Sequence, residues 1–378
     1  MTDWIEPADK LAAQVAGEAP EWRDAVAATP RHLLVPKWWE PVKNSFAFEW
    51  ELVSPDPGDP WSRAYSDETL VTRVGASHAD LAESGEIGVG APTSSSTLPG
   101  LIVRMLHLLD AQPGQQVLDI GTGSGYSAAL LGHRLGDDRV TSIDVDSYLV
   151  RAARERLASF GREPRIEVAD ATGQLPEGDY DRMLATVSVR PVPASWLSML
   201  RPGGRIVTTI AQTSLLVSAT LERGLVARGT VQADPASFMR TRSGQNYPPR
   251  LDEVYSAARD AEGDEVRGLA GPVPDFWSDW QLRALYELDS PDIEHRAGRG
   301  DDGTSIVWLL AADGSWARAE EGAGRVHQSG ERRLWDDLER VRARWEEAGR
   351  FPLHDLEVEF TPETTSVTSP DGNWRIRL

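Results

Sequence analysis

The chain has 378 residues, of which 40% are hydrophobic, so it is long enough for two domains with packed cores. Its formal net charge of −20 argues against a nucleic-acid substrate, because phosphate binding normally requires a basic surface. The absence of cysteine excludes disulfides and thiolate catalysis, and the seven histidines are dispersed, so no metal site is predicted.

No apolar run in the sequence approaches the roughly 20 residues of a membrane span. The first residues, Met1 to Glu6, lack the basic and apolar regions of a secretory signal. These features predict a cytoplasmic protein with neither a membrane nor a nucleic acid among its partners.

The N-terminal region alternates short helices with loops. Residues 8–18 are rich in alanine and leucine and predict a helix. A second, short helix is predicted after Thr29, with Thr29 as the N-cap and Pro30 at the first helical position. Residues 53–63 indicate a loop, and the stretch from Leu70 to Val74 a strand.

A hydroxyl-rich segment precedes the next helix. Residues 84–96 consist mainly of Gly, Ser and Thr and predict a loop, and an apolar helical face begins after Pro99. Ser95, Ser96 and Thr97 would present several hydrogen-bond donors near the start of that helix. Such a site suits a carboxylate.

The central feature is a glycine-rich turn. The apolar run from Val117 to Ile120 predicts a buried parallel strand, and Gly121, Gly123 and Gly125 follow before a helix. Glycine tolerates positive φ and lets a ligand approach the backbone, although an ordinary strand-to-helix turn is the simpler alternative. A dinucleotide site requires G-x-G-x-x-G, whereas here Tyr126 occupies the position of the last glycine. Asp119, two residues before the turn, suits a cationic ligand.

Strands and helices continue to alternate after this turn. Four further strands are predicted at 139–143, 165–168, 180–185 and 205–210, with helices at 148–159 and 193–200. The alternation predicts a doubly wound parallel α/β sheet that binds ligands at the carboxyl ends of its strands. Asp119, Asp144 and Asp170 all fall at such ends.

The last third of the chain has a different pattern. Residues 213–235 predict added antiparallel strands, and residues 241–275 indicate a linker rich in Arg, Pro, Gly and Asp. A smaller α+β domain is predicted at 276–378, with a hairpin turn at Asp313-Gly314 and one helix ended by Gly349. The larger domain would span 1–240, with N-terminal motifs at 25–100 and a Rossmann-like core at 101–235.

The run D-I-G-T-G-S-G resembles the first motif of class I S-adenosylmethionine (SAM) methyltransferases. The resemblance implies a Rossmann-like doubly wound fold with SAM as cofactor. It implies that Asp144 holds the ribose hydroxyls and that Asp170 lies near the adenine amino group. The full predicted SAM site comprises Asp119, Gly121, Thr122, Gly123, Ser124, Gly125, Tyr126, Asp144, Val145, Asp170 and Ala171.

Five segments, in order, resemble the protein-L-isoaspartate O-methyltransferases. They are Pro30-Arg31-His32-Leu33-Leu34-Val35-Pro36, Ala64-Tyr65-Ser66-Asp67, Ser95-Ser96-Thr97-Leu98-Pro99, the run from Asp119 to Tyr126, and Ser142-Ile143-Asp144. The resemblance implies carboxyl methylation of an Asp or isoAsp residue in a peptide or protein. Thr97 occupies the position of the family's active-site serine, with Ser95 and Ser96 beside it as further catalytic candidates.

The family normally consists of one compact domain, whereas this chain continues to residue 378. The Ser-Ser-Ser-Thr segment and the extension resemble a subfamily associated with graspetide and lanthipeptide maturation. That resemblance implies a modified precursor peptide as partner and aspartimide or isoaspartate as product. Three alternatives remain: repair of isoaspartate in damaged proteins, a non-catalytic scaffold that binds SAM and a peptide, and a small-molecule methyltransferase.

Overall fold

The computed structural model describes residues 4–42, 49–241, 251–276, 278–300 and 302–378. Three sequence predictions fall partly outside the described residues. They concern the first residues (1–3), where no secretory signal is predicted, the first part of the predicted linker (242–250) and Trp277 near the start of the predicted second domain.

The described residues form helices and strands along the whole chain. The helices are α1 (Ile5–Val15), α2 (Arg23–Ala28), α3 (Arg31–Leu34), α4 (Pro99–Leu109), α5 (Tyr126–Leu135), α6 (Ser147–Ser159), α7 (Ala194–Met199), α8 (Asp252–Ala258), α9 (Trp280–Asp289) and α10 (Leu334–Glu347). The strands are β1 (Trp38–Pro41), β2 (Glu49–Val53), β3 (Leu70–Val74), β4 (Ser77–His78), β5 (Ile87–Val89), β6 (Pro92–Ser96), β7 (Val117–Ile120), β8 (Val140–Asp144), β9 (Arg165–Val168), β10 (Tyr180–Val189), β11 (Leu200–Ile210), β12 (Leu216–Leu221), β13 (Ala227–Val231), β14 (Glu265–Gly268), β15 (Ile293–Arg299), β16 (Ser305–Ala311), β17 (Trp316–Glu320), β18 (Arg325–Ser329), β19 (Glu357–Phe360), β20 (Thr365–Thr368) and β21 (Arg375–Arg377).

A ten-stranded sheet forms the centre of the described structure, in the order β21-β20-β19-β13-β12-β11-β10-β7-β8-β9. The pairs among β7, β8, β9, β10 and β11 are parallel, and those from β11 outward to β21 are antiparallel. The doubly wound Rossmann-like fold is therefore confirmed. The chain leaves β7 toward β8 and returns on its other side at β10, so the strand order reverses beside β7. Ligands of such sheets bind at this reversal, outside the carboxyl ends of the strands.

The N-terminal region packs a second sheet against this core. Strands β1 to β6 form it, with β6 paired to β3, so the predicted loop at 84–96 contains two strands. Helices α1 and α2 share a buried hydrophobic cluster with α4 and α5. Thr29 is not an N-cap, because its hydroxyl donates to the carbonyl of Ala25 and the helix α3 begins after Pro30.

A third sheet, β14-β18-β17-β16-β15, builds the smaller C-terminal region together with α9 and α10. The predicted hairpin at Asp313-Gly314 joins β16 to β17, and Gly349 follows α10 with φ +78°. The described part of the predicted linker contains α8 and β14, so it is structured.

The two regions share one sheet and one core. After the C-terminal sheet the chain returns at β19, which pairs with β13, and the last strands extend the central sheet. One buried cluster contains side chains of both, such as Ile206, Leu285 and Val358. The division at residues 241–275 stays a prediction. No helix among the described residues is long and apolar enough to cross a membrane.

Candidate functional site

A cleft with a volume of about 320 Å³ lies at the carboxyl ends of β7, β8 and β10. Its floor contains Gly121 and Gly123 of the glycine turn, and Asp144 ends β8 on one side. Ser95 and Thr97 line another wall. The two ligand-binding segments predicted from the sequence therefore face the same space.

The glycine turn adopts the backbone that its residues allow. Gly121, Gly123 and Gly125 have φ values of +99°, +51° and +86°. A β-carbon on Gly121 would lie 2.9 Å from the hydroxyl oxygen of Thr186, and one on Gly123 would lie 3.4 Å from the carbonyl oxygen of Ser95. Side chains here would therefore strain the turn and narrow the cleft.

Asp144 is held in place by the backbone around it. Its Oδ2 accepts a 2.9 Å hydrogen bond from the amide of Gly123, and its Oδ1 accepts one of 3.0 Å from the amide of Asp146. Val145 and Ala171 also line the cleft. Asp146 in turn caps α6 by accepting hydrogen bonds from the amides of Tyr148 and Leu149. These contacts orient a carboxylate toward the mouth of the glycine turn.

Asp119 lies beneath the turn, and its side chain does not line the cleft. It is fully buried, and its Oδ2 accepts hydrogen bonds from the hydroxyls of Ser127 and Ser142. Its Oδ1 has no hydrogen-bond partner among the described residues. The pKa of Asp119 is raised to about 7. Burial is the main cause and the nearby charge of Asp144 adds to it, whereas the hydrogen bonds from the two hydroxyls lower the pKa in part.

We expect Asp119→Asn to change the pH dependence of stability. A carboxyl with a raised pKa binds its proton more tightly in the folded chain, so wild-type stability falls as the pH rises from about 4 to 7. The asparagine does not titrate, so the stability of the variant relative to wild type should rise by about 2 kcal/mol between pH 5 and pH 8. Urea unfolding of both proteins at several pH values measures how this difference in stability changes with pH. An effect of the asparagine that is the same at every pH does not alter that change. A difference independent of pH would contradict the assignment.

The hydroxyl-rich segment divides between the cleft and the interior. Ser95 and Thr97 line the cleft, whereas Ser96 is buried and its hydroxyl accepts a hydrogen bond from Arg31. The hydroxyl of Thr97 has no hydrogen-bond partner among the described residues. Thr97 does not cap α4, because the N-cap is Leu98, whose amide donates to the hydroxyl of Thr69. The hydroxyl of Thr97 is therefore available to donate a hydrogen bond to a ligand.

Arg31 joins the N-terminal motifs behind this segment, a role that sequence reasoning missed. Its guanidinium is fully buried and donates to the carbonyls of five residues, namely Ala64, Ser66, Glu68, Ser96 and Thr97. It also lies over the ring of Tyr126, 5.6 Å from the centroid. Burial lowers the pKa of Arg31 to about 10, so it remains charged at neutral pH.

Asp67, two residues after Tyr65, caps α4 by accepting a 2.7 Å hydrogen bond from the amide of Gly100.

A segment from 237 to 241, also missed, closes another side of the cleft. Its backbone pairs with the end of β10, where the amide of Ser188 donates to Met239 and the amide of Thr241 donates to Ser188. Phe238 and Arg240 line the cleft from this segment. Residue patterns gave no sign of it, because the contacts span about 50 residues of sequence.

The remaining predicted SAM residues shape the turn or lie outside the cleft lining. The hydroxyl of Thr122 bonds that of Ser142, and Ser124 and Tyr126 are buried. Gly125 packs against α6, since a β-carbon there would lie 3.4 Å from that of Ala153. Asp170 accepts hydrogen bonds from the amide and hydroxyl of Thr172. Direct ligand contact by these side chains stays a prediction.

Comparison with known proteins agrees with the motif order. The family model "Protein-L-isoaspartate(D-aspartate) O-methyltransferase (PCMT)" matches residues 76–224. A protein-L-isoaspartate O-methyltransferase of Aeropyrum pernix is 31% identical over 204 residues, which cover 53% of this chain and 64% of that protein. The enzyme of the same name from Methanopyrus kandleri is 35% identical over 158 residues and is covered to 62%. The chain thus spans a little under two thirds of these two relatives.

Two further comparisons bear on the family and on the extension. A solved structure named protein-L-isoaspartate O-methyltransferase covers 96% of this chain and 99% of its own, with a TM-score of 0.52 and 17% identity. The fold is therefore shared along almost the whole chain, including the C-terminal region. The protein-L-isoaspartate O-methyltransferase of Methanococcus vannielii is 31% identical over 190 residues, which cover 49% of this chain and 72% of that protein. With the motif order and the fold, this relationship shows that the chain belongs to the protein-L-isoaspartate O-methyltransferase family.

Proposed function

We propose that the chain is a SAM-dependent carboxyl O-methyltransferase that acts on an Asp or isoAsp residue of a peptide or protein. The observation that carries the proposal is that Ser95 and Thr97 line the same cleft as the glycine turn and Asp144. A carboxylate-binding segment and a nucleoside-binding segment then share one space. Family membership supports the same activity.

The cleft fits SAM in size and chemistry. Its volume of about 320 Å³ lies within the range of small-molecule sites, roughly 300–1,000 Å³. The turn has no side chain at Gly121 or Gly123 that would fill it. Asp144 would hold the ribose hydroxyls, and Val145 and Ala171 would lie beside the adenine. When bound, SAM supplies an electrophilic methyl group on a sulfonium.

The residues of the chain then have to bind and orient the substrate. A carboxylate is ionised near neutral pH, so no residue needs to remove its proton. The hydroxyls of Thr97 and Ser95 would donate hydrogen bonds that hold one oxygen and aim the other into the cleft. Leu98, Leu101 and Leu149 give the cleft an apolar lining that excludes water.

The activity is tested by incubating the full chain with SAM and two synthetic peptides. One peptide contains isoaspartate and the other aspartate at the same position, and mass spectrometry measures the gain of one methyl group. Methylation of either peptide supports the proposal, and the preference identifies the form of the substrate. SAM binding without methylation of any peptide or protein would favour the alternative of a non-catalytic scaffold.

We expect Asp144→Ala to weaken SAM binding by about 1.5–3 kcal/mol, the range for hydrogen bonds to a charged group. Titration calorimetry of the full chain measures the change. Asp138→Ala is the control, because Asp138 is an exposed carboxylate just before the start of β8, the strand that ends at Asp144. Asp144 also holds Gly123, so the melting temperature of each variant must be compared. Unchanged SAM affinity in a folded Asp144 variant would contradict the ribose assignment.

A second, finer proposal concerns the substrate. The Ser-Ser-Ser-Thr segment resembles that of the subfamily associated with graspetide and lanthipeptide maturation, and this resemblance supports a modified precursor peptide as the substrate. The extension does not separate this proposal from isoaspartate repair, since a structure named for the family has a fold of nearly the same extent. In a methylated Asp the following amide nitrogen attacks the ester carbonyl and methanol leaves, which closes an aspartimide. A precursor peptide methylated in preference to a linear isoaspartyl peptide would support the precursor-peptide proposal.

Residence of the protein in the cytoplasm stays a prediction.

A further inference from the structure

A second cavity of about 360 Å³ lies in the C-terminal region, between β15 and the residues before α9. Its lining contains Arg283, Arg296 and Arg299, with His295 beside them. Asp275 is the carboxylate of the same lining, within the described residues. Arg283 and Arg299 therefore bring two guanidinium-bearing side chains to one cavity in a chain whose net charge is −20, whereas the guanidinium of Arg296 faces α8, 4.3 Å from the ring centroid of Tyr255.

The three arginines differ in how far their charge is already balanced. Arg296 is paired with Asp252 at 2.7 Å and with Glu294 at 2.6 Å. Arg299 is exposed and donates to the carbonyl of Gly303, and no carboxylate among the described residues lies within 4 Å of it. The Nε of Arg283 lies 3.8 Å from Glu287, whose pKa burial raises to about 8, so Glu287 is largely neutral at pH 7. The charges of Arg283 and Arg299 are thus weakly compensated, whereas that of Arg296 is already paired.

This cavity is adjacent to the methyl-transfer cleft. Arg283 donates to the hydroxyl of Ser214, which in turn lies 3.0 Å from the hydroxyl of Ser237 on the cleft wall. Arg240, also on the cleft wall, pairs with Asp292 directly before β15. These contacts place Arg283 two hydrogen bonds away from the cleft wall, so both cavities are within reach of one extended peptide.

We propose that this cavity, here called the arginine pocket (Arg283 and Arg299), binds acidic side chains of the peptide that is methylated in the cleft. The inference rests on the proposed function and adds the substrate class, a peptide with carboxylates flanking the target residue. Guanidinium groups form paired hydrogen bonds with carboxylates, so the pocket selects for charge and for the planar carboxylate group. The overall field of the chain does not provide this selection, because a net charge of −20 repels acidic peptides at long range.

The test uses the full chain with pairs of synthetic isoaspartyl peptides. In each pair four Glu or four Gln residues stand before or after the isoaspartate. We expect a kcat/KM about tenfold higher for one of the Glu peptides than for its Gln partner at low salt, decreasing as salt screens the charges. Arg299→Glu should abolish the preference for the Glu peptide. Arg325→Glu, on β18 of the same sheet, makes the same change in net charge and should leave the preference intact.

A binding measurement separates this inference from the proposed activity. Fluorescence anisotropy of labelled Glu and Gln peptides reports binding without methyl transfer. If the Glu peptide binds more tightly and Arg299→Glu removes the difference, the arginine pocket stands even where no methylation occurs. Equal binding of both peptides, or a preference that Arg299→Glu and Arg325→Glu change alike, overturns it.

Discussion

Replacing Arg31 by lysine should destabilise the folded chain by about 2–4 kcal/mol, because buried carbonyls lose their donors. The guanidinium donates to five backbone carbonyls and to the hydroxyl of Ser96. A lysine ammonium has three donors and no planar fork, so it leaves at least three of these six acceptors without their donor. The midpoint of urea unfolding measures the loss.

Arg134→Lys is the matched control for this variant. Arg134 also lies over an aromatic ring, 5.1 Å from that of Trp22, but it donates to a single carbonyl, that of Glu21. Its replacement should cost less than about 1 kcal/mol, as is usual for exposed or half-exposed positions. An equal loss in both variants would mean that Arg31 contributes through its stacking alone. If the proposed activity is correct, Arg31→Lys should also reduce kcat/KM of the folded chain, since the carbonyl of Thr97 is one of the partners of Arg31.

Removing the hydroxyl of Thr97 should affect turnover far more than stability. Thr97→Val keeps the shape and deletes the donor that faces the cleft. We expect kcat/KM to fall by about tenfold to a thousandfold, corresponding to roughly 1.5–4 kcal/mol of transition-state stabilisation. SAM affinity should change little, and Thr97→Ser should retain much of the activity. Initial rates and the melting temperature must be measured on the same preparation.

Thr69→Val provides the contrast. The hydroxyl of Thr69 accepts the amide of Leu98 at the start of α4, so its loss should lower the melting temperature. Turnover per folded molecule should fall less than in Thr97→Val. If Thr97→Val instead lowered the melting temperature and left turnover near wild type, its hydroxyl would have a structural role only.

Local patterns predicted the five parallel strands of the central sheet because each of them carries its own signal, whereas β19 to β21 lie in the segment that was predicted as a separate domain. The apolar run at Val117–Ile120 and the glycines after it make the turn recognisable from the local sequence, although bonds to β8 also hold it in place. The strand at Pro92–Ser96 was missed because it has no apolar alternation, and pairing with β3 is what holds it extended. Propensity is a weak guide where a neighbouring strand supplies the hydrogen bonds.

The candidate site was predicted in part for the same reason. Asp144 and Thr97 follow recognisable local segments, and both line the cleft. Three other features depend on contacts between segments that are far apart in sequence. They are the burial of Asp119 beneath the turn, the carbonyls that accept hydrogen bonds from Arg31, and the position of residues 237–241 beside the cleft. Residue type and spacing carry no information on such contacts, which follow from how the sheets pack.

The route of the chain through the central sheet has a consequence for how the smaller region is attached. The chain leaves the sheet after β13 and re-enters it at β19, so the C-terminal sheet is an insertion within a larger fold. A single proteolytic cut inside the insertion would leave both fragments anchored by strands of the same sheet. Such a nicked protein should hold together under native conditions and separate only when the sheet itself unfolds. The smaller region is therefore tethered at two points, which keeps the arginine pocket in a fixed place beside the cleft.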